Sequence, residues 1–318
     1  MARRITVAAA QMGGIQRDES RARVVERMLE LLRGAHRRGA TLVVFPELAL
    51  TTFFPRYNLD DPAEIDRWFE KEVPSVETKP LFDEARRLGV GFHLGYAELT
   101  PEGRHFNTAI LVEPSGEIVG KYRKIHLPGH AEYDASRVAQ HLEKKYFEVG
   151  DLGFNVFGAY GGVFGMMICN DRRWPEAWRV LGLQGVEMVL LGYNTPSVNT
   201  SGAGFEDPYL RTYHSNLAVQ AGAYQNSCWA VAVAKAGDED GYGLIGSSCI
   251  VNPQGEIVAK ANTWDDELVV ADCDLDMTVF GKETVFKFSA HRRPEHYGLI
   301  VERTGAEVPP DIRKEAAE

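Results

Sequence analysis

The sequence has few cysteines, no CxxC pair and no surplus of positive charge, and each absence excludes a class of protein. Four cysteines occur in 318 residues, which argues against a zinc site or thioredoxin-like motif and predicts free thiols in a reducing compartment. Lys and Arg total 35 against 45 Asp and Glu, a formal net charge of −10. A dedicated nucleic-acid-binding protein is therefore not expected, because the phosphates would need surplus basic side chains.

Long uninterrupted apolar runs are also missing. Three stretches lack charged residues, 152–170, 188–205 and 212–234, but Gly, Pro, Asn, Gln or Ser interrupts every one of them. None is therefore predicted to span a membrane as a helix. The short apolar N-terminal segment is interpreted as a strand over 5–11 rather than as a signal peptide, and we expect a cytoplasmic protein without membrane association.

Strand-like and helix-like apolar spacing alternate along most of the chain. A helix is predicted over 19–38, ending at Gly39, and a strand buried on both faces is predicted over 41–45. A further strand is expected over 245–251. The alternation is typical of an α/β fold. Because no Pro-, Gly- or Ser-rich linker occurs, we expect one domain over 1–318, with a C-terminal extension from about residue 275.

Two segments of the chain are similar to each other. Residues 110–121 and 249–260 each contain an apolar strand, a Pro-x-Gly turn and a second strand, which is a hairpin pattern. Such hairpins are common, so the similarity has two interpretations. It is either incidental, or it marks two similar halves, each with its own sheet and with helices outside.

Cys169 is the cysteine with the most favourable setting for chemistry. It follows an apolar strand, and a helix begins near Pro175, so the thiol lies where open α/β sheets place their sites. Arg172 and Arg173 are close in sequence, and nearby cations favour a nucleophilic thiolate. The other three cysteines are interpreted as core residues.

A glutamate and a lysine-rich segment also follow predicted strands. Glu47 comes directly after an apolar strand, and it is either a general base with a raised pKa or a surface loop residue. Lys121 and Lys124 lie in a basic run that begins at the end of the strand predicted over 117–122 and continues into a loop. That run is either a solvated surface or the source of one ammonium group that stabilises developing negative charge.

Three motifs occur in an order that resembles the nitrilase superfamily of carbon–nitrogen hydrolases. They are VVFPELAL at 43–50, GKYRKIHLPG at 120–129 and MICNDRRWPE at 167–176. Within this superfamily the sequence resembles the D-carbamoylase branch in particular. The segments that carry this narrower resemblance are 47–55, 141–143, 169–175, 192–196 and 290–298.

The resemblance implies a role for each matching residue. Glu47 is expected as general base, Cys169 as nucleophile and Lys124, favoured over Lys121, as oxyanion stabiliser; Glu143 is expected as a second carboxylate near them. The remaining expected site residues, all taken to contact substrate or the oxyanion, are Asn170, His126, His141, Asn194, Thr195, Arg172 and Arg173.

The resemblance also implies a fold and a mode of assembly. The expected fold is a four-layer αββα sandwich of two mixed sheets with pseudo-two-fold halves. No metal or organic cofactor is expected. The implied assembly is a homo-oligomer, a dimer or a tetramer, with the homotetramer usual for the D-carbamoylase branch.

The two arginines after Cys169 indicate the substrate class. A guanidinium binds a carboxylate in bidentate geometry, so Arg172 and Arg173 are expected to hold a small substrate's carboxylate, although one of the two is expected to be structural. Together with the resemblance, this predicts hydrolysis of N-carbamoyl-D-amino acids to D-amino acid, CO2 and ammonia through a Cys-bound intermediate. The choice of D over L rests on the resemblance alone.

Other functions remain open from the sequence. The nearest alternative is another amidase of the superfamily, of the β-ureidopropionase or aliphatic amidase type. A more distant alternative is a non-catalytic nucleotide-binding protein built on residues 241–246, which fit G-x-G-x-x-G. That segment precedes a strand-like run rather than a helix, so the usual context of a dinucleotide fingerprint is lacking.

Overall fold

In the computed structural model, which describes residues 2–137, 139–198 and 206–308, thirteen strands alternate with nine α-helices. The strands are β1 (Arg4–Gly13), β2 (Leu42–Val44), β3 (Gly91–Leu99), β4 (His105–Val112), β5 (Ile118–Arg123), β6 (Val156–Ala159), β7 (Gly162–Ile168), β8 (Met188–Tyr193), β9 (Trp229–Glu239), β10 (Tyr242–Ile245), β11 (Cys249–Val251), β12 (Ile257–Lys260) and β13 (Glu267–Asp274). The helices are α1 (Arg21–Arg37), α2 (Pro62–Asp66), α3 (Lys79–Leu88), α4 (Glu143–Tyr146), α5 (Pro175–Leu183), α6 (Pro208–Asn226), α7 (Met277–Glu283), α8 (Phe288–His291) and α9 (Gly298–Glu302).

The strands form two mixed sheets. The first has the order β5-β4-β3-β2-β1-β13, with β1, β2 and β3 parallel and the other pairs antiparallel. The second has the order β6-β7-β8-β9-β11-β12, with β7, β8 and β9 parallel. The two sheets join where the end of β1 pairs with β9, at Met12 with Lys235 and Gly13 with Ala236.

Two apolar cores arrange these sheets in layers. One core lies between the sheets and packs Val7 and Val44 of the first sheet with Met166 and Leu190 of the second. Another core packs α1 and α3 on the outer face of the first sheet. Helices α5 and α6 contact each other, and α6 packs on β9 and β11 of the second sheet. The result is the expected α/β sandwich of four layers, αββα.

The two similar hairpins occupy related places in this sandwich. The first, β4 and β5, forms one edge of the first sheet, and the second, β11 and β12, forms one edge of the second sheet. The interpretation as two similar halves, each with its own sheet, describes this arrangement. The carboxyl ends of β2 and β8 meet between the two sheets, since a Cβ atom on Gly192 of β8 would lie 2.4 Å from the backbone N of Glu47, which follows β2.

Local sequence signals explain most of the element ends. The helix predicted over 19–38 is α1, whose N-cap Ser20 accepts a hydrogen bond from the Arg23 N–H at 3.3 Å, and Gly39 follows with φ +80°. The single strand expected over 245–251 is wrong. Two strands, β10 and β11, occur there because Gly246 and Ser247 adopt φ values of +53° and +63°, which interrupt an extended chain.

The glycine-rich segment 241–246 forms part of a hairpin. Gly241, with φ +81°, lies in the tight turn that joins β9 to the antiparallel β10. The next element in the chain is β11 and not a helix, so the strand–loop–helix unit that cradles a pyrophosphate is absent at this segment. Among the described residues, no helix is long and apolar enough to cross a lipid bilayer.

Candidate active site

Glu47 lies where the two sheets meet. It follows β2 and is fully buried. Its backbone passes between two glycines, because a Cβ atom on Gly95 would lie 2.8 Å from the Glu47 Cα, and one on Gly192 would lie 2.4 Å from the Glu47 N. The close approach that both glycines allow holds this carboxylate at the seam between the sheets.

Lys124 brings a positive charge to Glu47. It follows β5, is fully buried, and its Nζ donates to Glu47 Oε1 at 2.8 Å and to Glu143 Oε2 at 2.6 Å. Burial alone disfavours the ammonium form, but Glu143 and Glu47 outweigh that effect and hold the pKa of Lys124 above its usual value. Lys124 is therefore a cation at neutral pH.

Lys121, the competing lysine, is directed elsewhere. Its ammonium group pairs with Glu98, which also binds the Arg123 guanidinium at 2.8 Å. Side chains two residues apart on a strand share a face, so Lys121 and Arg123 both lie on the Glu98 side of β5. Of the two candidate lysines, Lys124 is the one that reaches the carboxylate cluster.

Glu143 completes this cluster at the start of α4. Besides Lys124, its carboxylate accepts a hydrogen bond from His141 Nε2 at 2.9 Å. Burial favours the neutral acid, but the Lys124 charge and the His141 hydrogen bond prevail and lower the pKa of Glu143. Two buried carboxylates therefore share one ammonium group.

Cys169 comes directly after β7 and has a left-handed backbone, φ +50°. Burial is the main cause that raises the pKa of its thiol, and the negative charge of Glu47 adds to that effect. Lys124 and Arg172 act in the opposite direction and are outweighed. The nearby cations that were expected to favour the thiolate are thus outweighed, and a carboxylate lies nearby to take the thiol proton.

The other three cysteines lie apart from this cluster. Cys228 and Cys249 are buried among apolar side chains of the core between the sheets, as is Cys273. Burial raises the pKa of each to about 12. These three thiols are therefore core side chains, as the sequence predicted.

A cavity of about 350 Å³ opens beside Cys169. Six of the predicted site residues line it, namely His141, Cys169, Asn170, Arg173, Asn194 and Thr195. Its wall contains four charged side chains, Arg137, Arg173, Glu206 and Arg211. The cavity is thus polar, and large enough for a small substrate next to the thiol.

The two adjacent arginines have different surroundings. Arg172 is fully buried, donates to Cys169 O at 2.5 Å and to Thr195 Oγ1 at 2.9 Å, and lies 4.4 Å above the Tyr193 ring. It does not line the cavity, so the structure gives it a supporting role for the Cys169 turn. Arg173 lines the cavity, and no acidic side chain among the described residues pairs with it.

His126 is likewise held away from the cavity. Its Nδ1 contacts Asp171 Oδ1 at 2.8 Å, and its ring stacks on Trp174. Asp171, fully buried, also accepts a hydrogen bond from the Tyr122 hydroxyl at 2.8 Å. The structure therefore places His126 in a contact that joins the Lys124 segment to the Cys169 turn, not in the substrate pocket where it was expected.

Two asparagines hold Glu47 in place. The backbone N–H of Asn194 donates to Glu47 Oε2 at 3.0 Å, and its side-chain amide donates to Glu47 O at 2.8 Å. Asn107 Nδ2 donates to Glu47 Oε1 at 2.8 Å. Asn107 was not among the predicted site residues, although a polar side chain inside the mostly apolar strand β4 was a usable signal.

The described residues contain no group of three or more His, Cys, Asp or Glu side chains arranged to hold a metal ion. The histidines nearest the cluster have protein partners instead. His141 binds Glu143, and His126 binds Asp171. The site is an arrangement of one thiol, two carboxylates and one ammonium group beside a polar cavity. Such an arrangement suits nucleophilic attack on a carbonyl or nitrile carbon.

Comparison with known proteins agrees with this chemistry. A family model described as carbon–nitrogen hydrolase matches residues 6–282. The chain is 33% identical to a nitrilase of Pyrococcus abyssi, covering 84% of this chain and 90% of the relative. It is 30% identical to an N-carbamoylputrescine amidase of Arabidopsis thaliana, covering 86% and 89%.

A solved structure shows the same fold. The crystal structure of a carbon–nitrogen hydrolase from Helicobacter pylori G27 superimposes with a TM-score of 0.81 at 25% identity, covering 94% of this chain and 99% of that one. The chain is thus similar to proteins named as nitrilases and as N-carbamoylputrescine amidases. They do not point to the D-carbamoylase branch in particular.

Proposed function

This chain belongs to the carbon–nitrogen hydrolase family of the nitrilase superfamily, and from that premise we propose that it hydrolyses N-carbamoyl-D-amino acids. The family makes it a hydrolase of carbon–nitrogen bonds other than peptide bonds. The observation that carries the narrower proposal is Arg173, a cavity-lining guanidinium near Cys169 with no acidic partner among the described residues.

Arg173 is the cation best placed to bind a substrate carboxylate. It reaches solvent at the cavity mouth, yet the surrounding protein and then the Arg172 charge lower its pKa to about 10, so it stays cationic at neutral pH. The other two cavity arginines have acidic partners, because Arg137 pairs with Asp134 at 3.1 Å and Arg211 with Glu206 at 2.6 Å. A bidentate contact with Arg173 would orient the amino acid while its carbamoyl group lies at Cys169.

In the first half of the proposed reaction, Glu47 takes the thiol proton of Cys169 as the sulfur attacks the carbamoyl carbon. Lys124 Nζ and the Asn170 backbone N–H stabilise the oxyanion of the tetrahedral intermediate. Glu47 then returns the proton to the amino-acid nitrogen, and the carbon–nitrogen bond breaks. The free amino acid leaves, and the carbamoyl group stays on the Cys169 sulfur.

In the second half, water replaces the amino acid. Glu47 takes a proton from that water, whose oxygen attacks the carbamoyl carbon, and the same two donors stabilise the second oxyanion. The carbon–sulfur bond breaks, and the proton held by Glu47 returns to the Cys169 sulfur. The released carbamic acid divides into CO2 and ammonia. Glu143 remains ionised and keeps Lys124 charged and in place throughout.

The D configuration rests on the sequence similarity to the D-carbamoylase branch. Segments 47–55 and 290–298 contribute to that similarity. Chirality depends on which wall of the cavity the substrate side chain faces. Paired D and L substrates are therefore the first assay required.

A second candidate, an N-carbamoylputrescine-type substrate, is favoured by the amidase relatives. Such a substrate ends in a cation, which needs a carboxylate in the cavity. Glu206 lines the cavity, but its two oxygens already bind Arg211 and His214 at 2.6 Å each. The charge of the cavity therefore favours an anionic substrate over a cationic one.

The test is ammonia release from paired D and L N-carbamoyl amino acids, N-carbamoylputrescine, β-ureidopropionate and a neutral aliphatic amide. Arg173→Met should raise KM for the carboxylate-bearing substrates by about 10- to 100-fold and leave the neutral amide unchanged, with Arg173→Lys intermediate. Cys169→Ala should abolish turnover. Preference for N-carbamoylputrescine, or an equal effect of Arg173→Met on the neutral amide, would reject the proposed carboxylate contact.

A further inference from the structure

We infer that Asn107 is a positioning residue that determines which oxygen of Glu47 receives the thiol proton. The inference rests on the role of general base proposed above for Glu47. Asn107 lies on β4 and is 1% exposed. Its side-chain nitrogen donates to Glu47 Oε1 at 2.8 Å, which is the only side-chain hydrogen bond of Asn107 in the described part of the chain.

The two oxygens of Glu47 are unequally bound. Oε1 accepts two hydrogen bonds at 2.8 Å, one from the Lys124 ammonium and one from the Asn107 amide. Oε2 accepts one, from the Asn194 backbone N–H at 3.0 Å. Because each carboxylate oxygen has two lone pairs, Oε1 is fully occupied, and Oε2 is the oxygen with a lone pair free for a proton from Cys169.

The other end of the Asn107 amide shows that the contact with Glu47 is specific. Its Oδ1 is buried and has no hydrogen-bond partner, which costs free energy. A carboxylate accepts hydrogen bonds only, so it fixes the amide with its nitrogen toward Glu47. If position 107 served packing alone, an apolar side chain of similar shape would fill it equally well and leave no unpaired oxygen.

Asn107 also connects the acid to the lysine. Its backbone carbonyl accepts the Lys124 N–H at 2.8 Å, while its side chain holds Glu47. One residue thereby sets the position of both partners of the 2.8 Å ion pair. Asn107 is neutral, so replacing it with another neutral residue adds or removes no charged side chain in the site. Any change in rate then reflects the orientation of Glu47 rather than a change in the net charge of the site.

The experiment compares Asn107→Leu, which has no donor, with Asn107→Ser, which has a short donor and leaves room for a bridging water. Two rates are measured over roughly pH 5–9: alkylation of Cys169 by iodoacetamide, with Cys169→Ala as the blank, and kcat/KM. Asn107→Leu should lower both by about 10- to 100-fold. The acidic limb should move to higher pH because the ionised carboxylate has one donor fewer, and Asn107→Ser should be intermediate.

Thr108→Val is the matched control. Thr108, the next residue on β4, is also fully buried, and its hydroxyl donates to Glu98 Oε2 at 2.7 Å on the opposite face of the strand. Its loss should lower the Tm without moving either pH profile. A folded Asn107→Leu with wild-type rates overturns the inference, as does an equal shift in Thr108→Val.

The two arms also separate this inference from the proposed function. If the wild type turns over none of the substrates while the alkylation rate still depends on Asn107, the substrate proposal fails and the inference stands. If Asn107→Leu does not fold, Asn107→Ser decides, and wild-type rates in that variant overturn the inference.

Discussion

Among the described residues, two lysines are fully buried, and their surroundings differ. Lys124, beside the cavity, lies between Glu47 and Glu143. Lys235, inside β9, binds Glu239 Oε2 at 2.6 Å and Thr51 O at 2.9 Å. Both ammonium groups are withdrawn from water.

The pKa of these two lysines is displaced in opposite directions. Burial lowers the pKa of Lys235. Glu239, which binds the ammonium group, and the negative charge of Glu47 oppose that effect without overcoming it, and the positive charge of Arg56 adds to it. Burial acts in the same direction on Lys124, but two carboxylates overcome it. Both lysines are fully buried, but Lys124 contacts two carboxylates directly and Lys235 contacts one, which agrees with the opposite directions of their pKa shifts.

The Lys235 cluster supports the loop that follows Glu47. Glu239 accepts hydrogen bonds from the Phe53 N–H at 2.8 Å and from Arg56 Nη2 at 2.7 Å. The Phe53 ring in turn contacts the edge of His141, with ring centroids 5.0 Å apart. The Lys124 cluster thus lies at the candidate active site, and the Lys235 cluster supports the loop that packs against it.

Removing each ammonium group in turn tests the difference between the two lysines most directly. Lys124→Met should lower kcat by about 10²–10³-fold, since an oxyanion donor is lost. Lys235→Met should lower the Tm but keep kcat, measured per folded protein, within roughly tenfold. Steady-state kinetics with circular dichroism of both variants checks this. Equal losses of kcat in two folded variants would show that the clusters are not distinct.

Glu239→Gln tests the supporting role. The variant retains an acceptor but leaves the Lys235 and Arg56 charges buried without a countercharge, which should cost about 3 kcal/mol of unfolding free energy. Urea denaturation measures this cost. Unchanged stability would show that Glu239 is not the ion that holds the loop.

At alkaline pH, the two lysines should change the free energy of unfolding in opposite directions. The folded-state pKa of Lys235 lies below its unfolded value of 10.5, so the unfolded chain binds more protons in that window, and Lys235 adds stability as pH rises. Lys124 has the reverse shift, so its contribution falls above pH 10.5.

Each slope is limited to about 1.4 kcal/mol per pH unit. The wild type should therefore gain stability relative to Lys235→Met as pH approaches 10.5, and lose it relative to Lys124→Met above that value. Chemical denaturation over this range measures both differences. Slopes of the same sign would contradict the assignment of the two shifts.

The smallest effect is expected at an exposed lysine. Lys79 pairs with Asp83 one turn along α3, and both side chains are largely exposed. Lys79→Ala should change the unfolding free energy by only about 0.3–0.5 kcal/mol. A thermal shift as large as that of Lys235→Met would show that burial does not amplify these ion pairs.

The positions of Glu47 and Cys169 at strand ends were predictable from the sequence, but the choice of Lys124 was not predictable from local pattern. Apolar strands before Glu47 and Cys169 place both residues at the carboxyl ends of parallel strands. Lys124 follows an antiparallel edge strand, and only the resemblance chose it over Lys121. The alternation of elements predicted the α/β class. The two halves were one of two interpretations of the repeated hairpin, and the four-layer sandwich came from the family resemblance.

The direction in which each site side chain points could not be predicted from the sequence. Arg172 and Arg173 are adjacent and identical in type, and the turn that begins at Cys169, with φ +50°, determines which one faces the cavity. The balance of effects on the thiol was also inaccessible, because burial and Glu47 together outweigh cations that are nearer in sequence. These properties depend on three-dimensional distances rather than on spacing along the chain.

Gly95 and Gly192 have a consequence for how this enzyme can change. A methyl group at either position would strike the Glu47 backbone, so the reacting centre has almost no freedom to shift by substitution. Any adaptation to a new substrate must then arise at the outer wall of the cavity, around Arg173 and Glu206, while the chemistry itself stays fixed.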